Sequence, residues 1–93
     1  MFAFAVTWRV VVGGLDQLLA MAPALAQNLQ QQHGFQFISL YVNRAENTLL
    51  IISHWASLED LEADKEANHA QTLKDLAAVV TEIQSEIYET VTV

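Results

Sequence analysis

The chain contains no cysteine. That excludes a disulfide framework, a thiolate metal site and a cysteine nucleophile, and it suits the reducing cytoplasm expected here as the site of action. Cationic residues are scarce, four Lys and Arg against eleven Asp and Glu, for a net charge of −7. So acidic a chain lacks the clustered positive charge that phosphate backbones and anionic membrane surfaces require, and neither nucleic acid nor a membrane is expected as a partner. No apolar run reaches the roughly 20 residues of a membrane span. The apolar start, Met1 to Val6, lacks a basic leader and alternates like a strand, so it reads as structure and not as a signal peptide. Glycine is rare, with three residues, and none sits in a GxGxxG or GxxxxGK spacing. There is no Gly-x-Ser-x-Gly elbow either.

What is abundant is apolar surface. Hydrophobic residues make up 53% of 93 positions, more than one small domain can hide by itself, so part of that surface is expected to face a second copy of the chain. The length fits a single domain over residues 1–93.

Periodicity orders the chain. Phe2 to Val12 reads as a strand that is apolar on both faces. Leu15 to about Gln32 reads as an amphipathic helix, with Pro23 expected to kink it or to set its first turn apart. Gly34 suits the left-handed position after that helix, and His33 beside it complements the helix dipole. Phe35 to Val42 and Thr48 to Trp55 read as a hairpin, with Phe35, Phe37, Ser39 and Tyr41 on one face of the first strand. In the second, His54 and Trp55 fall on opposite faces.

Ser57 followed by Asp60 has the spacing of a capping box and starts a helix running to about Ala67. Asn68-His69 is expected to break it, a further helix to reach about Val80, and Glu82 to Val93 to form the last strand. Arg9, inside the first strand, needs a carboxylate, for which Glu86 or Glu89 is available. The order β-α-β-β-α-β predicts an α+β, ferredoxin-like fold with an antiparallel sheet. Strands apolar on both faces are reconciled with it if two sheets close face to face as a homodimer.

Several residues carry both a chemical and a packing reading. Trp55 can stack on an aromatic ligand or fill the core. His69 can act as a base near neutral pH or serve as a local helix-start residue. His54 and Tyr41 can face a pocket or pack at the sheet, and Trp8, among Val and Phe, reads as core or interface. Glu62, Glu66 and His69 share a helical side, but so acidic a neighbourhood reads as a solvated face and not as a metal site.

With that order established, Trp55, Ser57-Leu58-Glu59, Asn68-His69 and Gly34-Phe35 together resemble the antibiotic biosynthesis monooxygenase domain family along essentially the whole chain. The resemblance implies a dimeric α/β barrel with an apolar pocket between sheet and helices. It further implies a monooxygenase, an oxidoreductase that oxidises a small aromatic, phenolic or quinol substrate with molecular oxygen, using no cofactor, metal or flavin. His69 would be its base, and Trp55, Tyr41 and His54 its binding residues. Two positions depart from the pattern: Asp64 stands where the family commonly has its first His, and Ser53 where an acidic residue is frequent. Counting from Trp55, Asp64 and Lys74 occupy the Trp and His places of haem-degrading relatives, so haem degradation is not carried over. A non-catalytic dimeric module, or an isomerase or decarboxylase using the same pocket, stays open beside the monooxygenase.

Overall fold

The computed structural model describes the backbone of all 93 residues and the side chains of all but His69, Ala70 and Leu73. The element order is β1 (Phe2–Val10), α1 (Gly14–Gln30), β2 (Phe35–Asn43), β3 (Thr48–Trp55), α2 (Leu58–Asp64), a π turn (Lys65–His69), α3 (Ala70–Asp75) and β4 (Val80–Glu89). The strands form one antiparallel sheet in the order β2-β3-β1-β4. This is the ferredoxin-like α+β arrangement expected from the sequence.

Register sorts the side chains. Phe4, Val6 and Trp8 of β1 align with Ser53, Ile51 and Leu49 of β3, with Trp55 at the end of β3 and Val10 opposite Val80 of β4. All are buried on one face. Leu15, Leu18 and Leu29 of α1, Leu61 of α2 and Leu76 after α3 close over them as the core. The alternation that a half-covered strand requires is therefore strict in β3 and holds in β1 from Phe4 onward, with Ala3 of the opposite face buried as well. The second face carries rows such as Phe37–His54–Ala3–Tyr88 and Tyr41–Leu50–Thr7–Gln84.

Several expectations change in detail. The bulge between Phe35 and Phe37 puts the two phenylalanines on opposite faces: Phe35 pairs with Trp55, Phe37 with His54. Pro23 lies inside α1 without dividing it. The second helix ends at Asp64 rather than Ala67, because the π turn begins at Lys65. The last helix stops at Asp75, and Val80, read from sequence as helical, opens β4 opposite Val10. β1 ends at Val10, and Val12 is exposed next to Gly13, which takes the left-handed φ of 83°. Arg9 pairs with Glu82, its neighbour in register, at 3.4 Å, instead of with Glu86 or Glu89. His33 does more than complement a dipole, since its Nδ1 meets Asp60 Oδ1 at 2.8 Å.

The α2 start forms as the Ser57/Asp60 spacing predicts. Ser57 is extended, at φ −143° and ψ 161°, and accepts the Asp60 N–H at 3.1 Å, while its own hydroxyl donates to Asp60 Oδ2 at 2.9 Å. Asp60 therefore ties three segments together, the end of α1 through His33, the strand-to-helix junction through Ser57, and α2 itself.

Candidate functional site

Among the described side chains singled out from sequence, Trp55 lies on one sheet face and His54 and Tyr41 on the other. Trp55 is fully buried. Its indole N–H donates to Ser53 Oγ at 3.0 Å, and the Phe35 ring meets it edge-on at a centroid distance of 5.5 Å. His54, one residue earlier, points to the opposite sheet face and stacks on Phe37 at 4.1 Å with planes 17° apart. Tyr41 lies on that same face, 55% exposed. The backbone of His69 closes the π turn, and its side chain lies outside the described residues.

A cleft of about 430 Å³ opens on the helix-covered side, between α1, the α3 segment and the sheet. Its size falls within the range of small-molecule sites. Leu18, Met21 and Leu25 of α1 form one wall, with Leu49, Ile51 and Trp8 as its floor and Leu76 opposite. Polar groups are few: Asn28, Thr72 and Asp75. An adjoining chamber of about 50 Å³ shares Trp8, Leu25, Asn28, Ile51 and Thr72, and adds Leu29, Asp64 and Asn68. A mostly apolar space with a few polar groups on its lining is what binding an aromatic ring through one polar substituent requires.

The polar end is built by helical spacing. Asp64, Asn68 and Thr72 are four residues apart and so fall along one line of the α2–π–α3 segment. Asn68 Nδ2 donates to Asp64 Oδ1 at 2.8 Å, and Thr72 Oγ1 donates to the Asn68 carbonyl at 3.0 Å. Asp64 is 9% exposed, which explains why a carboxylate at this depth is held by a neighbouring amide. This D-x3-N-x3-T spacing is a detectable sequence signal, one that a reading centred on the His69 break passes over.

Among the described residues, two buried side-chain nitrogens have no hydrogen-bond partner, Trp8 Nε1 and His54 Nδ1. Trp8 is 4% exposed and lines both cleft and chamber. No group of three His, Asp or Glu side chains converges as a metal site among the described residues. No described helix is long and apolar enough to cross a membrane.

Two departures from the family pattern have structural occupations here. Ser53, buried, accepts the Trp55 N–H, and Asp64 accepts the Asn68 amide.

The family model for antibiotic biosynthesis monooxygenases matches residues 1–76, and the chain belongs to that family. A solved structure from Deinococcus radiodurans, assigned by name to these monooxygenases, superposes with a TM-score of 0.85 at 19% identity, covering 100% of this chain and 95% of its own. One from Nitrosomonas europaea, assigned likewise, gives 0.82 at 16% identity over 99% and 100% of the two chains. The Rv0793 protein of Mycobacterium tuberculosis gives 0.79 at 13% identity over 98% and 95%. At these identities the likeness establishes the fold, and it extends through β4, beyond the residues matched by the family model. No curated protein matches the chain significantly.

Proposed function

We propose that the chain is a cofactor-independent monooxygenase that oxidises a small phenolic or quinol-type aromatic with molecular oxygen inside the α1–α3 cleft, and that it works as a homodimer. The observation that carries this reading is the cleft itself, an apolar space of about 430 Å³ with few polar groups on its lining, adjoined by a small chamber that Asp64, Asn68 and Thr72 line. An electron-rich phenol that loses its proton can pass electrons to oxygen directly. Overall, four electrons leave the substrate, one oxygen atom enters the product and the other leaves as water. The protein then has to bind the ring, take a proton and keep bulk water out.

The roles follow from position. Leu25, Leu49 and Ile51 hold the ring. His69, next to the chamber residue Asn68, is the base. Trp55 supports the site from the core behind it, through packing. Tyr41 and His54 serve the second sheet face. There Phe37 at 50%, Tyr41 at 55% and Tyr88 at 54% exposure make an aromatic surface suited to a second copy. Closing two such faces would bury on the order of 2,000 Å² or more in total, as obligate dimers do.

The test is oxygen uptake by metal-free protein over a panel of quinols and phenols. Uptake above the uncatalysed rate, slowed by about 10²-fold in His69→Ala, is the expected result. Uptake no faster than buffer across the panel overturns the reading. The non-catalytic ligand-binding module would then take its place. A specific observation favours that second reading: Ser53 and Asp64, where the resemblance implies an acidic and a His side chain, are both engaged in hydrogen bonds of their own.

A further inference from the structure

We propose that the cleft selects its ligand by charge: it takes an aromatic that is uncharged or cationic and turns away one that carries a carboxylate, sulfonate or phosphate, with Asp75 as the residue that sets the preference. The proposal rests on the reading of the cleft as the binding site and adds what that site selects. Asp75, the last residue of α3, lines the cleft and is exposed to solvent. Asp64 adds a second carboxyl group in the adjoining chamber. The other polar residues of the two spaces, Asn28, Asn68 and Thr72, are uncharged, and the rest of the lining is apolar. A cleft with charge of one sign and low-dielectric walls concentrates the field of that charge inside it.

The cations of the chain do not offset these carboxyl groups. There are four Lys and Arg, and none lines the cleft or the chamber. Arg9 pairs with Glu82 at 3.4 Å, and Arg44 with Asp16 at 3.3 Å. Lys65 lies over the Phe4 ring at 5.6 Å. Lys74 precedes Asp75 in α3, and adjacent residues on a helix do not face each other. Of the described imidazoles, His33 meets Asp60 and His54 stacks on Phe37. The hydrogen-bond inventory points the same way. Asp75 Oδ1 accepts the Gln71 amide at 2.9 Å, and a carboxylate has acceptor capacity beyond one bond. Thr72 gives its hydroxyl proton to the Asn68 carbonyl and keeps its lone pairs. A hydroxyl or ammonium group on the ring is therefore better served than a group that only accepts.

The probes share a naphthalene ring and differ in charge: 2-naphthylmethanol is neutral, 2-naphthylmethylammonium cationic and 2-naphthoate anionic. None is a phenol, so binding is read without turnover. In the wild-type protein the alcohol and the ammonium should bind, and naphthoate more weakly than either. Raising the salt from about 20 mM to about 500 mM should weaken the ammonium and strengthen naphthoate. Asp75→Asn, a change of charge with little change of shape, should weaken the ammonium about two- to fivefold and strengthen naphthoate by a similar factor, the size of one exposed ion pair, with the alcohol held within about twofold. Glu59→Gln removes the same charge from a position that lines neither space, and should leave the gap between anion and cation nearly in place. A gap that closes equally in both variants reports net charge alone and overturns the proposal. Equal shifts of all three probes in Asp75→Asn make Asp75 a structural residue and overturn it too. So does naphthoate binding as tightly as the ammonium in the wild type, a measurement that stands whatever the variants do. Failure of all three probes to bind overturns the cleft reading along with it. Binding as described without oxygen uptake on any phenol removes only the catalytic reading.

Discussion

Replacing Gly34 by Ala tests the junction that sets α2, and with it the polar end of the cleft. Gly34 has φ +80°, in the left-handed region, and a Cβ built there overlaps the Asp60 carboxylate and its Cβ. The backbone part alone costs about 1–2 kcal/mol for an L-residue. The overlap cannot be relieved without moving Asp60, which gives up its contacts to Ser57 Oγ at 2.9 Å and to His33 at 2.8 Å. The Gly34 carbonyl also receives the Ala56 N–H at 2.8 Å, so the loop has little freedom to back away. Loss of an N-cap arrangement adds about 0.5–2 kcal/mol, for a total of about 1.5–4 kcal/mol. Urea denaturation of wild type, Gly34→Ala, Asp60→Ala and the double variant separates the two parts. If the overlap is real, Asp60→Ala should cost less in the Gly34→Ala background than in the wild type, because the obstructing carboxylate is gone. Additive costs would refute the argument and leave backbone strain as the whole effect.

The His33–Asp60 pair should make stability pH-dependent. Its hydrogen bond and charge raise the His33 pKa, and hydrogen bonds from His33 and Ser57 lower that of Asp60. The His33 contribution is complete below its unfolded pKa and is lost as pH rises through the raised folded value, while that of Asp60 is present above its unfolded pKa and is lost as pH falls through the lowered one. Denaturation midpoints of wild type and His33→Gln should therefore differ most in the mildly acidic window between the two groups and converge towards alkaline pH; a constant difference would contradict this. Trp55→Ala should cost about 3–5 kcal/mol in the same assay as a truncation of a fully buried aromatic, and a loss below about 1 kcal/mol would mean the site is not packed as described. Ser53→Ala, which leaves the Trp55 N–H buried and unpaired, should cost about 1–3 kcal/mol. Light scattering at micromolar concentration should give a dimer, and a stable monomer would dispose of the sheet-to-sheet pairing. The purified, active protein should carry no stoichiometric metal and no flavin or haem absorption band.

How much of this was legible in the sequence depends on the range of the forces involved. Local signals were sufficient for the element order, the span of β3, the Ser57 cap and the left-handed Gly34, since each is set within a few residues. Alternation also placed His54 and Trp55 on opposite faces. What could not be read depends on partners far along the chain. The bulge that turns Phe35 inward exists because β2 must stay in register with β3 while Phe35 still reaches Trp55. The link of His33 to Asp60 spans 27 residues. Val80 shows no period that separates strand from helix, and the pairing with Val10 decides it. The unpaired state of the Trp8 indole depends on which groups from α1 and α3 arrive around it, which no local pattern encodes.

The geometry of β3 also limits where chemistry can be located. Because successive strand residues point to opposite faces, Trp55 and His54 cannot contribute to one pocket. The Trp55 side is closed by Ser53 and Phe35, and the His54 side opens onto the aromatic rows of the second sheet face. A cleft on the helix side must then draw its polar groups from the helices. The α2–π–α3 segment can supply them only if its phase lets Asp64, Asn68 and Thr72 succeed one another along the chamber. A π turn adds a residue to a helical turn and rotates the helix beyond it, a change often found at functional sites. Here it spans Lys65–His69, between Asp64 and Thr72. The break at Lys65–His69 therefore matters for the whole polar line it carries into the cleft. Replacing Asn68, the middle member of that line, by Leu would take its polar group out of the chamber and remove the amide that donates to Asp64. Such a variant should keep the sheet and the core but lose oxygen uptake on quinols and phenols. Uptake at the wild-type rate would mean that the cleft is indifferent to these polar groups.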